Sequence, residues 1–465
     1  MHALTFILTS LLVLSSGVIA ENSENEARPN FLFLLVDDLG WADLACYGST
    51  FHETPHLDRL AKEGVRFTDA YTAASICSPT RASIMTGKHP VRVNITDWIP
   101  GSSGNGHKLK TPRDDHQLAL EEVTIAEALK EGGYATFYTG KWHLGGASFS
   151  PDKQGFERYY DPHEKPSKGS PGNGKTTGRK HGTVDLTRET KKFITENRNV
   201  PFLAFVSYYD IHTPIIPENK YHAHYREKAA RLGPSPAAIR EHDGRSRPRQ
   251  DNAALATMVQ SVDDSVGALV SHLNSQRILE NTYIFFFSDN GGLATKQGVG
   301  PGCNLPLRAS KGWLYEGGIR VPLIVRIPGK LNAGLQPSTP VVSTDIYPTL
   351  LSLAGLPLRP KQHMDGQSFS GLLDGTAQDS SSRALYWHYP HYHGSMWTPG
   401  AAIRKGDWKL IQFYHFEKTE LYNLREDLGE STDLSKKHPE ETQVLRAELV
   451  EWQKRLGASL PTARQ

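Results

Sequence analysis

Cysteine is scarce: Cys46, Cys77 and Cys303 are the only three in 465 residues. Three thiols cannot build a disulfide scaffold, and one Cys46 to Cys303 bridge would leave Cys77 alone. With no CxxC pair and no clustered histidine partner, the spacing does not suit a structural zinc site. Charge imbalance is lacking too. The 52 Lys and Arg stand against 50 Asp and Glu, so there is no bulk field for nucleic acid, and only local anion sites are open. After residue 20 no apolar run is long: "FLFLLV" and "YIFFFS" fall far short of the ~20 residues needed to cross a bilayer, so stable membrane insertion is not expected. No internal repeat is evident. Stability must come from a core, which a chain of this length with 38% hydrophobic residues can supply.

What is present begins with residues 1–20, "MHALTFILTSLLVLSSGVIA", an uncharged stretch ending in small side chains and followed at once by polar "ENSENEARPN". It reads as a signal peptide cleaved near Ala20, which implies a periplasmic or secreted protein. "NFLFLLVDDLG" is then a continuous apolar strand that stops in two acids, the pattern of a central parallel strand covered on both faces. The same grammar recurs. Helices are expected at 55–63 and 124–131, strands at 134–139, 202–208 and 283–288, and a helix from near Asn252 towards Leu273, with a Pro/Arg-rich linker at 231–250 and a Gly/Lys-rich surface loop at 161–181. From about 385, "RALYWHYP", "AAIRKGDWKLIQFY" and "TELYNL" read as antiparallel strands, followed by a closing amphipathic helix at 436–456. The expected architecture is α/β: a large, mostly parallel sheet flanked by helices (29–385), with a smaller C-terminal α+β domain containing an antiparallel sheet (386–460).

Strand tips are where ligands bind in open α/β sheets. Asp37, Asp38, Asp289 and Asn290 offer three carboxylates and an amide carbonyl from two tips, hard oxygen donors suited to one Ca²⁺ or Mg²⁺. With no soft or imidazole ligand among them, zinc is disfavoured. Capping or turn roles are the bland alternative for each pair. Cys77 lies in "SICSPTRAS" at an expected helix start, where Pro79 presets φ and Arg81 adds a cationic fork one turn on. It could be a buried small hydrophobe, half of a disulfide, a nucleophile, or a residue converted into another.

"CSPTRASIMTG" at 77–87 strongly resembles the signature of type I sulfatases, alkaline-phosphatase-like enzymes in which C-x-P-x-R is read by a maturation enzyme that oxidises the cysteine to formylglycine. The resemblance extends over roughly 29–385. It matches Asp37, Asp38, Asp289 and Asn290 to the family's calcium ligands, and "GYATFYTGKWHLG" matches Lys141 and His143 to an active-site lysine and histidine. "YYDIHTP" matches His212 to a histidine near the leaving group, and "RASKGWLYEGGIRVP" matches Lys311 to a sulfate-contacting lysine. The family chemistry implies that hydrated formylglycine at position 77 attacks sulfur. His143 would then take a proton from its second hydroxyl, so that sulfate leaves. Arg81, Lys141 and Lys311 are expected to surround the sulfuryl oxygens, with Arg81 also holding the nucleophile, His212 acting as acid and Asp289 as metal-linked base.

The substrate signal is weaker. Trp98, His388, His391, His393 and Arg404 are candidates to rim the pocket, together with Arg92, Asn94 and His107; aromatic faces and donors suit a sugar, though such residues are more often core. The resemblance to polysaccharide-degrading sulfatases implies an exo-acting enzyme on sulfated galactose or N-acetylgalactosamine units. The alternatives are an arylsulfatase with another small substrate, a phosphomonoester or phosphonate hydrolase of the same superfamily, and an inactive glycan-binding homologue.

Overall fold

The computed structural model describes residues 28–101, 106–163, 182–330, 332–377 and 383–464. The expected signal peptide, and all but the first three positions of the Gly/Lys-rich loop, lie outside the described residues. No helix among the described residues is long and apolar enough to cross a membrane.

Seven strands form the main sheet: β1 (Asn30–Val36), β2 (Val65–Phe67), β3 (Ala135–Gly140), β4 (Arg158–Tyr160), β5 (Phe202–Ser207), β6 (Thr282–Ser288) and β7 (Leu323–Arg326). Their spatial order is β2, β7, β6, β1, β5, β3, β4; only β7 runs against its neighbours. The apolar continuity of β1 has a direct cause. Phe31, Phe33 and Leu35 enter the core on one face, while Leu32, Leu34 and Val36 enter the core on the other, so both faces of a central strand must be apolar. Helices α1 (Pro55–Glu63), α4 (Thr183–Glu196) and α6 (Ala253–Ser275) cover the second face. Helices α2 (Cys77–Thr86), α3 (Ile125–Glu131) and α7 (Ile346–Leu353) cover the first; α5 (Asn219–Arg231) packs on α6.

Helix starts follow their caps. Thr124 and Glu127 close a capping box on α3, and Asn252 accepts from the backbone N–H groups of Ala254 and Leu255 to start α6. The expected linker at 231–250 instead contains a hairpin, Ile239–Glu241 with Gly244–Ser246, turning on His242 and Asp243. Its strands are too short and polar to show alternation, and the Asp-Gly turn was its only sequence signal.

The C-terminal sheet is antiparallel in chain order: β8 (Ala384–Tyr389), β9 (Gly400–Lys405), β10 (Trp408–Phe413) and β11 (Lys418–Asn423). It starts at Ala384, so the expected boundary at 385/386 falls inside a strand. One face, with Trp387, Ala402, Ile411 and Phe413, packs on Tyr71, Trp313 and Tyr315 of the catalytic part; the other, with Ile403, Leu410 and Leu421, takes α8 (Pro439–Leu456) through Leu445, Leu449 and Trp452. Between the two parts Lys409 is fully buried, its Nζ 2.8 Å from both Glu316 Oε1 and Glu430 Oε1. Burial pushes Glu430 up to about 7, whereas for Glu316 the charges of Lys409, Arg320 and Arg404 outweigh burial and hold it at about 2. Lys409→Met should therefore cost about 3–5 kcal/mol, because it removes the buried cation that the two glutamates share and leaves only the arginines beside Glu316. Urea unfolding at neutral pH measures it; a loss under 1 kcal/mol would mean the glutamates find other partners.

Candidate active site

The parallel strands deliver their ends to one edge. Val36 is in register with Ser288, and Gly140 with Ser207, so the residues that follow become neighbours: Asp37 and Asp38 after β1, Asp289 and Asn290 after β6, Lys141 after β3. Backbone bonds continue the ladder past the strands, from Asp289 N to Val36 O (3.1 Å), Lys141 N to Ser207 O (3.0 Å) and Asp37 N to Asp210 O (3.2 Å). Asp38 and His143 sit in the left-handed region, at φ 65 and 59, conformations that aspartate and histidine tolerate better than most residues.

Helix α2 brings Cys77 to this edge. Every residue of the helix is buried, and its small hydroxyl side chains are bonded internally, as with Ser83 to Thr80 O and Thr86 to Ala82 O. Cys77 Sγ lies 3.4 Å from Asp37 Oδ1 and 3.4 Å from Lys311 Nζ. One turn on, Arg81 donates Nε (3.0 Å) and Nη2 (2.7 Å) to Asp289 Oδ2, and Nη1 (2.6 Å) to both Lys141 O and Ser207 Oγ. Lys141 Nζ is 2.5 Å from Asp37 Oδ2, and Lys311 Nζ is 2.6 Å from Asp38 Oδ1. Three carboxylates thus face three cations.

Burial shapes the titration of each. It opposes ionisation of Asp37, but the charges of Lys141, His212, Arg81 and Lys311 together prevail and hold that carboxyl well below the usual range. Burial, reinforced by Asp37, pushes Asp289 up to about 6 despite its bonds from Arg81. Burial and Asp37 push the Cys77 thiol up to about 12, so it is no thiolate nucleophile at neutral pH. His143 is held well below its usual value by burial, then by Lys141 and Arg81. Its Nε2 is 2.6 Å from Ile99 O and must carry the proton, which leaves Nδ1 a buried, unpartnered acceptor. His212 is more open: Nδ1 donates to Thr213 O at 2.7 Å, and Nε2 stands 4.0 Å from Asp38 Oδ2.

The donor chemistry fits a hard divalent cation. Asp38 Oδ2 and Asn290 Oδ1 are buried oxygens with no partner, within the group that includes Asp37 and Asp289. Softer donors do stand close by, however: Cys77 and His212 present donor atoms within 4.8 Å of those of Asp37 and Asp38. Cys77 and His212 add one sulfur and one imidazole to the oxygens of Asp37, Asp38, Asp289 and Asn290, so oxygen remains the dominant donor.

The rim residues divide. His393 belongs near the centre, its Nδ1 pressed against Gly312 beside Lys311, where a Cβ would fall 2.2 Å away. Trp98 is half-buried against the cluster of Tyr71, Trp313 and Trp397. The expectation for His388, His391 and Arg404 is corrected: they are only 4%, 3% and 6% exposed. His388 bonds Ser459 O and Gln453, His391 bonds Thr96, and Arg404 bonds Asp69 and Tyr71. The polar atoms of His391 and Arg404 serve the buried contact between the C-terminal sheet and the catalytic part, and those of His388 a contact within the C-terminal part. Likewise Arg92 pairs with Asp365, Asn94 bonds Asp115, and His107 stacks on Tyr392. All three thiols are free, so no Cys46 to Cys303 bridge exists. Ser207, which orients Arg81, escaped sequence reading because a hydroxyl ending an apolar strand carries no charge signal.

Comparison with known proteins accords with this geometry. The sulfatase family model matches residues 29–356, and the model for the N-sulphoglucosamine sulphohydrolase C-terminal region matches 309–455. Human arylsulfatase A is 32% identical, over 87% of this chain and 77% of its own. An N-acetylgalactosamine-6-O-sulfatase from Bacteroides thetaiotaomicron is 28% identical, over 93% and 94%. The crystal structure of Ps i-CgsB superposes with a TM-score of 0.73 at 29% identity, over 91% and 92%. A phosphonate monoester hydrolase of Agrobacterium radiobacter shares the fold at 19% identity with a TM-score of 0.65. This chain belongs to the sulfatase family and is a sulfuric ester hydrolase with the alkaline-phosphatase-like α/β fold.

Proposed function

We propose that this protein is an exported, exo-acting carbohydrate sulfatase that uses one Ca²⁺ and a formylglycine made from Cys77, cleaving sulfate from galactose or N-acetylgalactosamine units. The observation that carries this reading is the position of Cys77 Sγ, 3.4 Å from a carboxylate oxygen of Asp37 and from the ammonium of Lys311. A nucleophile there is flanked by both a metal-type ligand and an anion-binding cation. The sugar preference is supported by the N-acetylgalactosamine-6-O-sulfatase relative and by Ps i-CgsB, solved with k-i-k-neocarrahexaose.

Asp37, Asp38, Asp289 and Asn290 would hold Ca²⁺, which would supply positive charge to the sulfuryl oxygens and the nucleophile. The need for it follows from the charge balance: three buried carboxylates already match three buried cations, so a bound monoanionic ester requires further positive charge. Once converted to hydrated formylglycine, position 77 would supply one hydroxyl for attack on sulfur and a second whose deprotonation lets sulfate leave. Arg81, fixed by Asp289 and Ser207, orients that residue. Lys141 and Lys311 bind sulfuryl oxygens, and His393 borders the sugar beside them. His143, neutral with Nδ1 unprotonated, accepts the second hydroxyl's proton, and Asp289 serves as metal-linked base for the first. His212 turns Nε2 towards the site and, carrying a proton on both ring nitrogens with Nδ1–H held by Thr213 O, gives the Nε2 proton to the leaving oxygen as acid. Activity also requires a maturation enzyme in the producing cell.

A panel of defined sulfated sugars, assayed for free sulfate beside matched phosphate esters, tests the substrate class. Sulfate release from galactose or N-acetylgalactosamine sulfates is expected; faster phosphate release would overturn it. For His212→Ala, loss on sugar sulfates should reach about 10²–10⁴-fold, with a much smaller loss on activated aryl sulfates whose leaving group needs no proton. Equal losses on both would remove His212 from the acid role.

A further inference from the structure

We propose that Asn304 is a positioning residue whose carboxamide locks together the three turns that carry Asp38, Asn290 and Lys311. The inference rests on the proposed metal and sulfate roles of those side chains. Asn304 is 2% exposed and lies in "GPGCNLPLR", a stretch with no other role in the site. Its Nδ2 is 2.8 Å from Gly292 O, 2.9 Å from Ala309 O and 3.0 Å from Gly317 O. Three carbonyls around one atom fix it as the nitrogen, and its two hydrogens are shared among them. Gly292 stands two residues after Asn290, and Ala309 two before Lys311. Gly292 O also accepts Lys311 N at 3.1 Å, so the two turns are tied both directly and through Asn304. Ala309 sits at φ 60 without glycine's freedom, and its carbonyl is held in that strained setting by the amide.

The other side of the carboxamide reaches the first acidic tip. A Cβ on Gly40, two residues after Asp38, would fall 2.5 Å from Asn304 Oδ1, and one on Gly292 would fall 2.7 Å from it. Both turns approach the amide closely enough that only glycine fits. Asp43 Oδ2, accepting from Gly40 N at 2.8 Å, pins the same turn from its other side. Asn304 contacts none of the proposed ligands or cations through its own polar atoms; its effect passes through backbone. An outer partner of this kind typically controls about 10–100-fold in metal affinity or activity; its removal would take the amide from the Ala309 and Gly317 carbonyls and leave Gly292 O with Lys311 N alone.

The test compares Asn304→Ala, Asn304→Ser and wild type for Ca²⁺ binding by calorimetry on metal-stripped protein, for kcat and KM on an aryl sulfate, and for thermal stability. Asn304→Ala should weaken Ca²⁺ binding and lower kcat by about 10–100-fold each with KM little changed, and Asn304→Ser, which keeps one donor, should fall between. Gln154→Ala is the control: Gln154 is also fully buried and donates Nε2 to Leu118 O at 3.0 Å, but it belongs to no site loop. It should lose stability alone. If Asn304→Ala and Asn304→Ser lose only stability, as Gln154→Ala does, the proposal is overturned; if Ala fails to fold, Ser is read by the same criterion. A wild-type protein that binds no Ca²⁺ would refute the metal assignment separately, and Asn304 would then be judged on kcat alone.

Discussion

Replacing Cys77 with alanine should leave a folded protein with normal metal content whose turnover of sulfate esters falls by about 10³-fold or more. Folding should survive for physical reasons. The Cys77 thiol is neutral, its 3.4 Å contacts to Asp37 and Lys311 are weak because sulfur is a poor donor and acceptor, and alanine suits the first position of α2. Asp37 keeps Lys141 and Lys311 keeps Asp38, so no buried charge is stranded. The large kinetic loss follows because no neighbouring side chain can replace a carbonyl hydrate: a plain serine or cysteine nucleophile has no second hydroxyl through which to expel sulfate. Circular dichroism, metal analysis and initial rates make the comparison, and near-native turnover would sink the mechanism. The companion measurement is mass spectrometry of the peptide containing position 77 from a competent cell. The CH₂SH side chain should appear as an aldehyde or its hydrate, and active enzyme with wholly unmodified thiol would contradict the assignment.

Chelation should abolish turnover nearly as completely, and added Ca²⁺ should restore it. Asp38→Asn should weaken Ca²⁺ binding by at least about 100-fold, more than loss of an outer partner does, because it alters a direct ligand. The same substitution takes the anion from Lys311, whose Nζ lies 2.6 Å from Asp38 Oδ1, and so leaves excess buried positive charge in the metal-free protein. Metal-free Asp38→Asn should therefore be less stable than metal-free wild type. Titration calorimetry and the recovery of rate with Ca²⁺ provide the readouts. Full activity in protein verified to be metal-free would refute the metal's role, and recovery with Zn²⁺ but not Ca²⁺ would reassign the ion.

Much of the sheet was legible because its signals are local. "FLFLLV" and "YIFFF" are unbroken runs without charge since both faces of β1 and β6 are covered, and Asn252 and Thr124 mark the starts of α6 and α3 by bonds within one turn. The hairpin at 239–246 was not legible, being too short for periodicity. His388, His391 and Arg404 misled for a different reason. A polar or aromatic side chain in a loop-rich stretch looks the same in sequence whether it meets a sugar or a buried partner, and here the partners Ser459, Thr96 and Asp69 are 71, 295 and 335 residues away.

The sequence by itself determined which residues could do chemistry and that acids would stand at the ends of apolar strands, because residue type and strand periodicity are properties of short segments. "CSPTRASIMTG" likewise singled out Cys77 for the proposed conversion into a different functional group. Tertiary structure alone decided the pairing: Arg81 with Asp289, Lys141 with Asp37, Lys311 with Asp38. Those pairs join residues up to 273 positions apart: parallel register aligns the tips that carry Asp37, Asp38, Asp289 and Lys141, helix α2 brings Arg81, and a turn bonded to Gly292 O brings Lys311. The same packing raises the Cys77 thiol and lowers Asp37, since only a dry, enclosed edge gives neighbouring charges such reach.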